Sequence, residues 1–353
     1  MANTPTANFA IPKPAAGDIN WEDEYAQFAD LADSRLMLGG MKNVLINGNF
    51  DIWQRGTSFS NPVNTYTADR FWSGVENGAA TVSRQLFALG QVEVPGNPKY
   101  FLRHDRTLAA GVASTVLAQP IESVLTLAGE TATVSFYAKA GAAKTLQVDF
   151  VQGFGTGGTP SGDINVTAQN INLTAAWQKF SLTFAIPSIA GKTLGSNGDD
   201  RLLLRVKEAA GFSIFTFDIA RGQVEQGAVA TDFERRPFGQ EMDLCRRYFE
   251  RRGNDTAQRP VATGHVVNGS SAEFAVAYVL KRGIPVIAFS SQTGFEVRSE
   301  TAAVASTGVS AARIGLDMAE ITASTAPSTL VNGRGAILRT AGAGDYIDMD
   351  AEL

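Results

Sequence analysis

The feature that constrains this chain most is a repeated alternation of apolar and polar residues over short segments. Val134, Phe136 and Ala138 alternate with Thr133, Ser135 and Tyr137. Leu146, Val148 and Phe150 alternate with Gln147 and Asp149. Phe180, Leu182, Phe184 and Ile186 alternate with Ser181, Thr183 and Ala185, and Leu202, Leu204 and Val206 with Leu203 and Arg205. Side chains of an extended strand point to opposite faces in turn, so a period of two marks a strand with one buried face. Such strands belong to antiparallel sheets. Turn-rich runs separate them, at 153–158 (GFGTGG) and 195–199 (GSNGD). Many strands with few helices predict a mostly-β fold built on a two-sheet sandwich of jelly-roll type. No repeat of fixed period occurs, which argues against a propeller or a solenoid.

Two stretches depart from the pattern. Residues 1–17 are poor in large apolar side chains and carry Pro5, Pro12 and Pro14, which predicts an extended arm. Asn20 then stands where a helix cap would, followed by acids that suit a helix N-terminus. Trp21, Tyr25, Phe28 and Leu31 form an apolar stripe at helical spacing, and Gly39-Gly40 ends it. So short a helix is marginal alone in water. Its stripe needs either the downstream domain of the same chain or a partner chain, and the arm before it favours the partner. The second departure begins at Pro237. Phe238, Met242, Cys245 and Phe249 are spaced as one face of a short linker helix. Beyond it, Phe274, Val276, Tyr278 and Leu280 alternate, as do Ile347, Met349, Ala351 and Leu353, predicting a smaller C-terminal antiparallel β domain. The expected division is 1–42, 43–237 and 238–353.

Charge and cysteine content exclude whole classes of function. The formal net charge is −5, so no basic field exists for nucleic acid. Cys245 is the single cysteine, which rules out an internal disulfide framework and a thiolate metal site. That composition fits folding in a reducing cytoplasm. The N-terminus has no apolar core of signal-peptide length, and no run approaches the about 18 apolar residues of a membrane span. Membrane insertion is not expected.

Catalytic signals are missing as patterns. His104 and His265 are far apart, with no serine or cysteine motif near either, and no zinc spacing occurs. The glycine-rich run at 153–158 has no lysine and no following helix, so it is not a phosphate loop, and no cofactor is expected. Glycoside hydrolysis needs two carboxyl groups across a cleft, for which Asp149, Asp163, Asp199, Asp200 and Asp218 qualify only by composition. Asp199 and Asp200, adjacent in a turn, read first as solvated turn residues, with a structural calcium as the sharper alternative. The reading is a protein without catalytic residues.

Aromatic side chains are the better candidates, because the C–H faces of a pyranose are apolar and stack on rings. Phe154, at the tip of the glycine-rich run, is one candidate sugar platform. Trp53 and Trp72, in polar, turn-like surroundings, and Tyr66 are the others. Core packing is the competing expectation for each, and Trp177, at the head of an alternating strand, reads as core or rim. The arginines around the linker (Arg235, Arg236, Arg246, Arg247, Arg251 and Arg252) lie among Glu234, Glu241, Asp243 and Glu250, and read as a self-paired face.

Several of these stretches also carry a resemblance. NVLINGNFDIWQRGTSFSNPVNTYTADRFW (43–72), TATVSFYAKA (131–140), WQKFSLTFAIP (177–187), FDIARGQVEQGAVATDFERRPFGQEMDLCRRYFE (217–250) and the closing DAEL (350–353) resemble, in this order, a family of phage tail-fibre-like proteins. FAIPKPAAGDINWEDEYAQFADLAD (9–33) is similar to attachment arms of phage fibres. The resemblance implies a virion location and a first domain like carbohydrate-binding modules of jelly-roll type. It implies a homotrimeric fibre or spike subunit. Its arm (Phe9, Ile11, Pro12, Trp21, Tyr25 and Phe28) would bind other virion proteins of the tail, neck or portal region, and its body would contact a host-surface glycan. A structural adaptor or decoration protein with no ligand is the alternative, and a polysaccharide depolymerase ranks below both.

Overall fold

A computed structural model of the chain describes residues 41–76, 78–109, 115–208, 213–300 and 303–353. The arm and helix expected before residue 41, with all six attachment candidates, lie outside the described residues. The chain divides into two compact units, the first ending at Pro237 and the second beginning at Phe238.

The first unit is a sandwich of two antiparallel sheets. Its strands are β1 (Ser58–Ser60), β2 (Thr65–Tyr66), β3 (Trp72–Val75), β4 (Gly78–Leu86), β5 (Tyr100–Ala109), β6 (Thr115–Glu122), β7 (Thr131–Ala140), β8 (Lys144–Gly153), β9 (Ile164–Asn165), β10 (Gln169–Leu173), β11 (Gln178–Ala185), β12 (Arg201–Glu208) and β13 (Phe215–Gln226). One sheet runs β1-β4-β5-β13-β7-β11 and the other β10-β8-β12-β6-β3-β2, with β9 beside β8. From β5 to β8, and again from β11 to β13, successive strands pass between the sheets, which is the jelly-roll arrangement. The alternation read from the sequence sets which face is inside. Val134, Phe136, Val148, Phe150, Leu202 and Leu204 all belong to one buried core. Pairing of β11 with β7 sets Leu182 opposite Val134 and Phe180 opposite Phe136. Because β11 is the last strand of its sheet, Phe180 and Leu182 are only half-buried, whereas Phe184 and Ile186 are enclosed. Near the start of this unit the chain crosses β13 closely: a Cβ on Gly48 would fall 2.0 Å from the Gly222 carbonyl oxygen. Only glycine fits there.

The second unit opens with helix α1 (Phe238–Arg246). Cys245 is buried, but Phe238 is exposed, and Phe249 lies in a strand rather than on the helix. The sequence expectation ran the helix one turn too far, because Tyr248 and Phe249 are taken up by sheet pairing. That sheet has the order β14-β22-β17, formed by β14 (Phe249–Gly253), β22 (Tyr346–Asp350) and β17 (Val286–Phe289). The rest is a closed six-stranded barrel of order β15-β16-β20-β19-β18-β21. Its strands are β15 (Pro260–Asn268), β16 (Ser271–Ala277), β18 (Phe295–Ser299), β19 (Ala303–Ala312), β20 (Met318–Thr325) and β21 (Gly335–Thr340). Phe274, Val276 and Tyr278 face a core shared with Ile347 and Met349. The alternation stops at Leu280, which is exposed beyond the end of β16.

Candidate functional site

Antiparallel partners project to the same side of a sheet, so register decides which residues share a face. Tyr66 pairs with Trp72, Trp72 with Ala118, Ala118 with Arg205, and Arg205 with Asp149. These five form one row across β2, β3, β6, β12 and β8. Their strand neighbours Leu117, Val206 and Val148 are in the core, so the row is on the outer face of the sheet. The next row on that face is Gly74, Val116, Lys207 and Gln147, continued by Asn170 on β10.

The aromatic end of the row is held by a tight turn. Between Tyr66 and Trp72, Phe71 donates its backbone N–H to Ala68, and both residues are buried. The buried Asp69 accepts from the Gln54 backbone N–H at 2.8 Å, which fixes the neighbouring Arg55 segment. Burial raises the Asp69 carboxyl above its ordinary pKa, against the opposing charge of Arg55. The Arg55 guanidinium lies over the Tyr66 ring, 5.2 Å from its centre. A Cβ on Gly74 would sit 3.4 Å from the Trp72 indole, so this glycine leaves the indole room along its own strand. Tyr66 and Trp72 are both half-buried, and Arg55 takes one face of the Tyr66 ring.

The polar end of the row is a salt-bridged cluster. Asp149 accepts Nε and Nη2 of Arg205 at 2.8 and 2.9 Å, and Nζ of Lys207 at 2.6 Å. Arg205 Nη2 also reaches Asn165 Oδ1 at 3.2 Å. The Asp149 side chain is 3% exposed, while Arg205 and Lys207 remain 25% and 30% exposed. The carboxylate is a buried strut that holds two cations at the surface.

Two of the expected sugar-stacking aromatics are elsewhere. Phe154 is fully buried. Its glycine-rich run is not a free tip, because Thr156 donates its backbone N–H and its hydroxyl to Asp199 at 2.7 and 2.6 Å. Gly195 also donates to the Phe154 carbonyl at 2.7 Å. Trp53 is a core residue whose indole N–H is satisfied by the Phe50 carbonyl at 2.8 Å. Trp177 packs on Phe87 and Phe101 at the rim of the other sheet.

Four of the five candidate acids are held in structural contacts, while Asp163 is exposed. Asp199 grips Thr156, and the two hydrogen bonds from Thr156 outweigh its partial burial and hold its carboxyl below the ordinary pKa. Asp200 accepts from the Val124 backbone N–H at 2.8 Å and the Ser123 hydroxyl at 3.1 Å. No cluster of three metal-ligating side chains occurs among the described residues. The two calcium candidates, Asp199 and Asp200, both serve as loop clamps. Asp218 is bound in both oxygens by Arg103. In the second unit, Arg252 reaches Glu250 at 3.1 Å, one of the acids expected to pair with this face, whereas Arg251 forms its two-point bond with the distant Asp348. His265 is on the barrel exterior opposite Glu273, in a groove of about 420 Å³. No helix among the described residues is long and apolar enough to cross a membrane.

What the sequence did not reveal was the Arg205–Asp149–Lys207 cluster and its place beside Trp72. Its members are separated by up to 58 positions along the chain, and by up to 135 from Trp72, and only strand pairing brings them together.

No family model and no curated protein sequence matches the chain. Among solved structures, one of CBM4 is similar at 20% identity, over 51% of this chain and 97% of the other, with a TM-score of 0.30. The family 11 carbohydrate-binding module from Clostridium thermocellum, in complex with a β-1,3-1,4-mixed-linked tetrasaccharide, is 12% identical over 50% of this chain and 99% of its own, with a TM-score of 0.30. The enzymatically active domain of tailspike protein 4 from bacteriophage CBA120 is 13% identical over 52% of this chain but only 21% of its own, again with a TM-score of 0.30.

Proposed function

We propose that this chain is a non-catalytic adhesion subunit of a phage fibre or spike, and that it holds a host-surface glycan on the outer face of its jelly-roll sheet. The observation that carries the glycan part is the row Tyr66–Trp72–Ala118–Arg205–Asp149. Two half-buried rings stand beside small side chains and a pair of surface cations. A sugar ring stacks its C–H face on Trp72 or Tyr66, and its hydroxyls take hydrogen bonds from Arg205 and Lys207. Such shallow sites bind weakly one at a time. Three chains per fibre would turn them into useful avidity. The virion part rests on the sequence resemblance of 43–72 and 217–250 to phage tail-fibre-like proteins. In this reading residues 1–42 anchor the subunit to the particle, and deletion of residues 1–38 leaves a soluble body that no longer incorporates into virions.

The test is an array of bacterial surface glycans probed with the full chain and with Trp72→Ala, each checked for fold by circular dichroism. Binding should fall about tenfold in the variant, the loss expected of one stacking contact. A chain that binds no glycan at all would be a structural adaptor instead.

A further inference from the structure

We propose that the glycan held on this face is anionic, and that Lys207 is the residue that reads its charge. The inference rests on the glycan-binding reading above and adds to it the class of ligand.

The argument begins with a charge count. Asp149 is the one carboxylate that either Arg205 or Lys207 contacts among the described residues. One negative charge therefore faces two positive ones. The flanking residues on the two rows, Gly74, Val116, Ala118 and Gln147, are uncharged. A net positive charge is left at the surface, held in place by a carboxylate that is itself out of reach of solvent.

Hydrogen-bond capacity leads to the same place. An ammonium has three donors, and Lys207 uses one of them on Asp149. A guanidinium has five, of which Arg205 spends its Nε–H and its Nη2 hydrogens on Asp149 and Asn165. The side of the fork that would grip a planar carboxylate with two bonds is already occupied by Asp149. What remains is a cation with free donors but no two-point geometry. It senses charge rather than shape, so a uronic acid carboxylate and a sulfate ester both satisfy it.

Distance makes the arrangement usable. Lys207 and Trp72 are on β12 and β3, with β6 alone between them. Strands are spaced about 4.8 Å apart, and Lys207 stands one row further along than Trp72, so the two side chains rise from backbone positions roughly 12 Å apart. A sugar stacked on Trp72 would then place a substituent of its own, or the next sugar, over Lys207.

The experiment uses the full chain on an array of bacterial surface polysaccharides printed as matched pairs. Each acidic polymer stands beside its carboxyl-reduced derivative, and each sulfated polymer beside its desulfated one. Acidic members should bind about fivefold better than their neutral partners, and the preference should shrink as salt rises. Lys207→Gln should equalise the pairs, Lys207→Arg should keep the preference, and Trp72→Ala should weaken both members of a pair together. Preference confined to the carboxylate pairs or to the sulfate pairs identifies the anion. Equal or better binding to neutral members overturns the inference and leaves the glycan reading intact, as does a preference that survives Lys207→Gln. If no polymer binds, both fall.

Discussion

The rings of Phe150 and Phe184 meet edge to face, with centres 5.3 Å apart and planes at 85°. Phe150 belongs to β8 in one sheet and Phe184 to β11 in the other, so this contact joins the two layers of the sandwich. Phe184→Ala removes the ring from an enclosed site and should cost about 3–5 kcal/mol. The neighbouring Thr183 faces outward and donates its hydroxyl to the Ala228 carbonyl at 3.2 Å. Thr183→Ala should cost about 1 kcal/mol, since it loses that bond and a long contact with the Thr133 hydroxyl at 3.4 Å. Urea melts of the two variants decide the matter, and similar losses would mean that the faces of β11 are exchanged.

That strand shows what was legible in the sequence. Alternation alone assigned Phe184 and Ile186 to the core, because one face of a strand is either in or out. It did not show that β11 is an edge strand, which is why Phe180 and Leu182 are less covered. For Phe154 the sequence left a sugar platform and core packing both open, and burial decides for the core. Local composition at 153–158 signals a free turn, but the residues that clamp it, from Gly195 to Asp199, are about forty positions away. The site itself was half legible. Trp72 stands out as an aromatic in polar surroundings and Tyr66 as a further aromatic candidate, whereas Arg205, Lys207 and Asp149 look like ordinary polar positions of alternating strands. Nothing local ties Asp149 to Arg205. Their pairing depends on the order of strands in the sheet, which the alternation does not encode.

The Asp149 strut gives an unequal pair of variants. Asp149→Ala leaves two cations with no carboxylate beneath them and removes three hydrogen bonds, at a cost of about 1–3 kcal/mol. Arg205→Ala leaves Asp149 still paired with Lys207 and should cost less. The double variant should lose less than the sum of the single ones, by about 0.5–3 kcal/mol, if the contact acts as a unit. Strict additivity in a double-mutant cycle by chemical denaturation would show that the two side chains contribute independently.

Calcium should have no effect on the fold through Asp199 and Asp200. Both oxygens of Asp199 and one of Asp200 already accept hydrogen bonds from Thr156, Ser123 and Val124, so an ion there would compete with those donors. Melting curves with calcium and with a chelator should superimpose. Asp199→Ala should lower stability by about 1 kcal/mol in either condition, since the loss is that of a loop clamp at the surface. A melting temperature that rises with calcium, and ceases to rise in Asp199→Ala, would restore the ion site.

His104 sets an acid limit on the first unit. It is fully buried, stacked on Phe217 at 5.3 Å, and neither ring nitrogen has a hydrogen-bond partner among the described residues. Burial, with help from the nearby Arg106 charge and against the opposing charge of Asp105, lowers its pKa from 6.5 to about 4. Between those values the unfolded chain binds a proton that the folded chain refuses. Stability from this residue is therefore intact above pH 6.5, falls as the pH drops toward about 4, and changes no further below that. A lowering of this size corresponds to about 3 kcal/mol across the window. Other groups titrate there too, so the comparison must be with His104→Leu, a side chain of similar bulk that carries no proton and no unpaired polar atom. At pH 7 the variant should be as stable as the parent or slightly more so, because replacing an unpartnered polar group by an apolar one of like shape is neutral to favourable. At pH 4.5 it should be clearly the more stable of the two. Parallel stability curves from pH 7 to pH 4 would mean that the imidazole accepts its proton without unfolding the sandwich, and that the interior around Phe217 admits water.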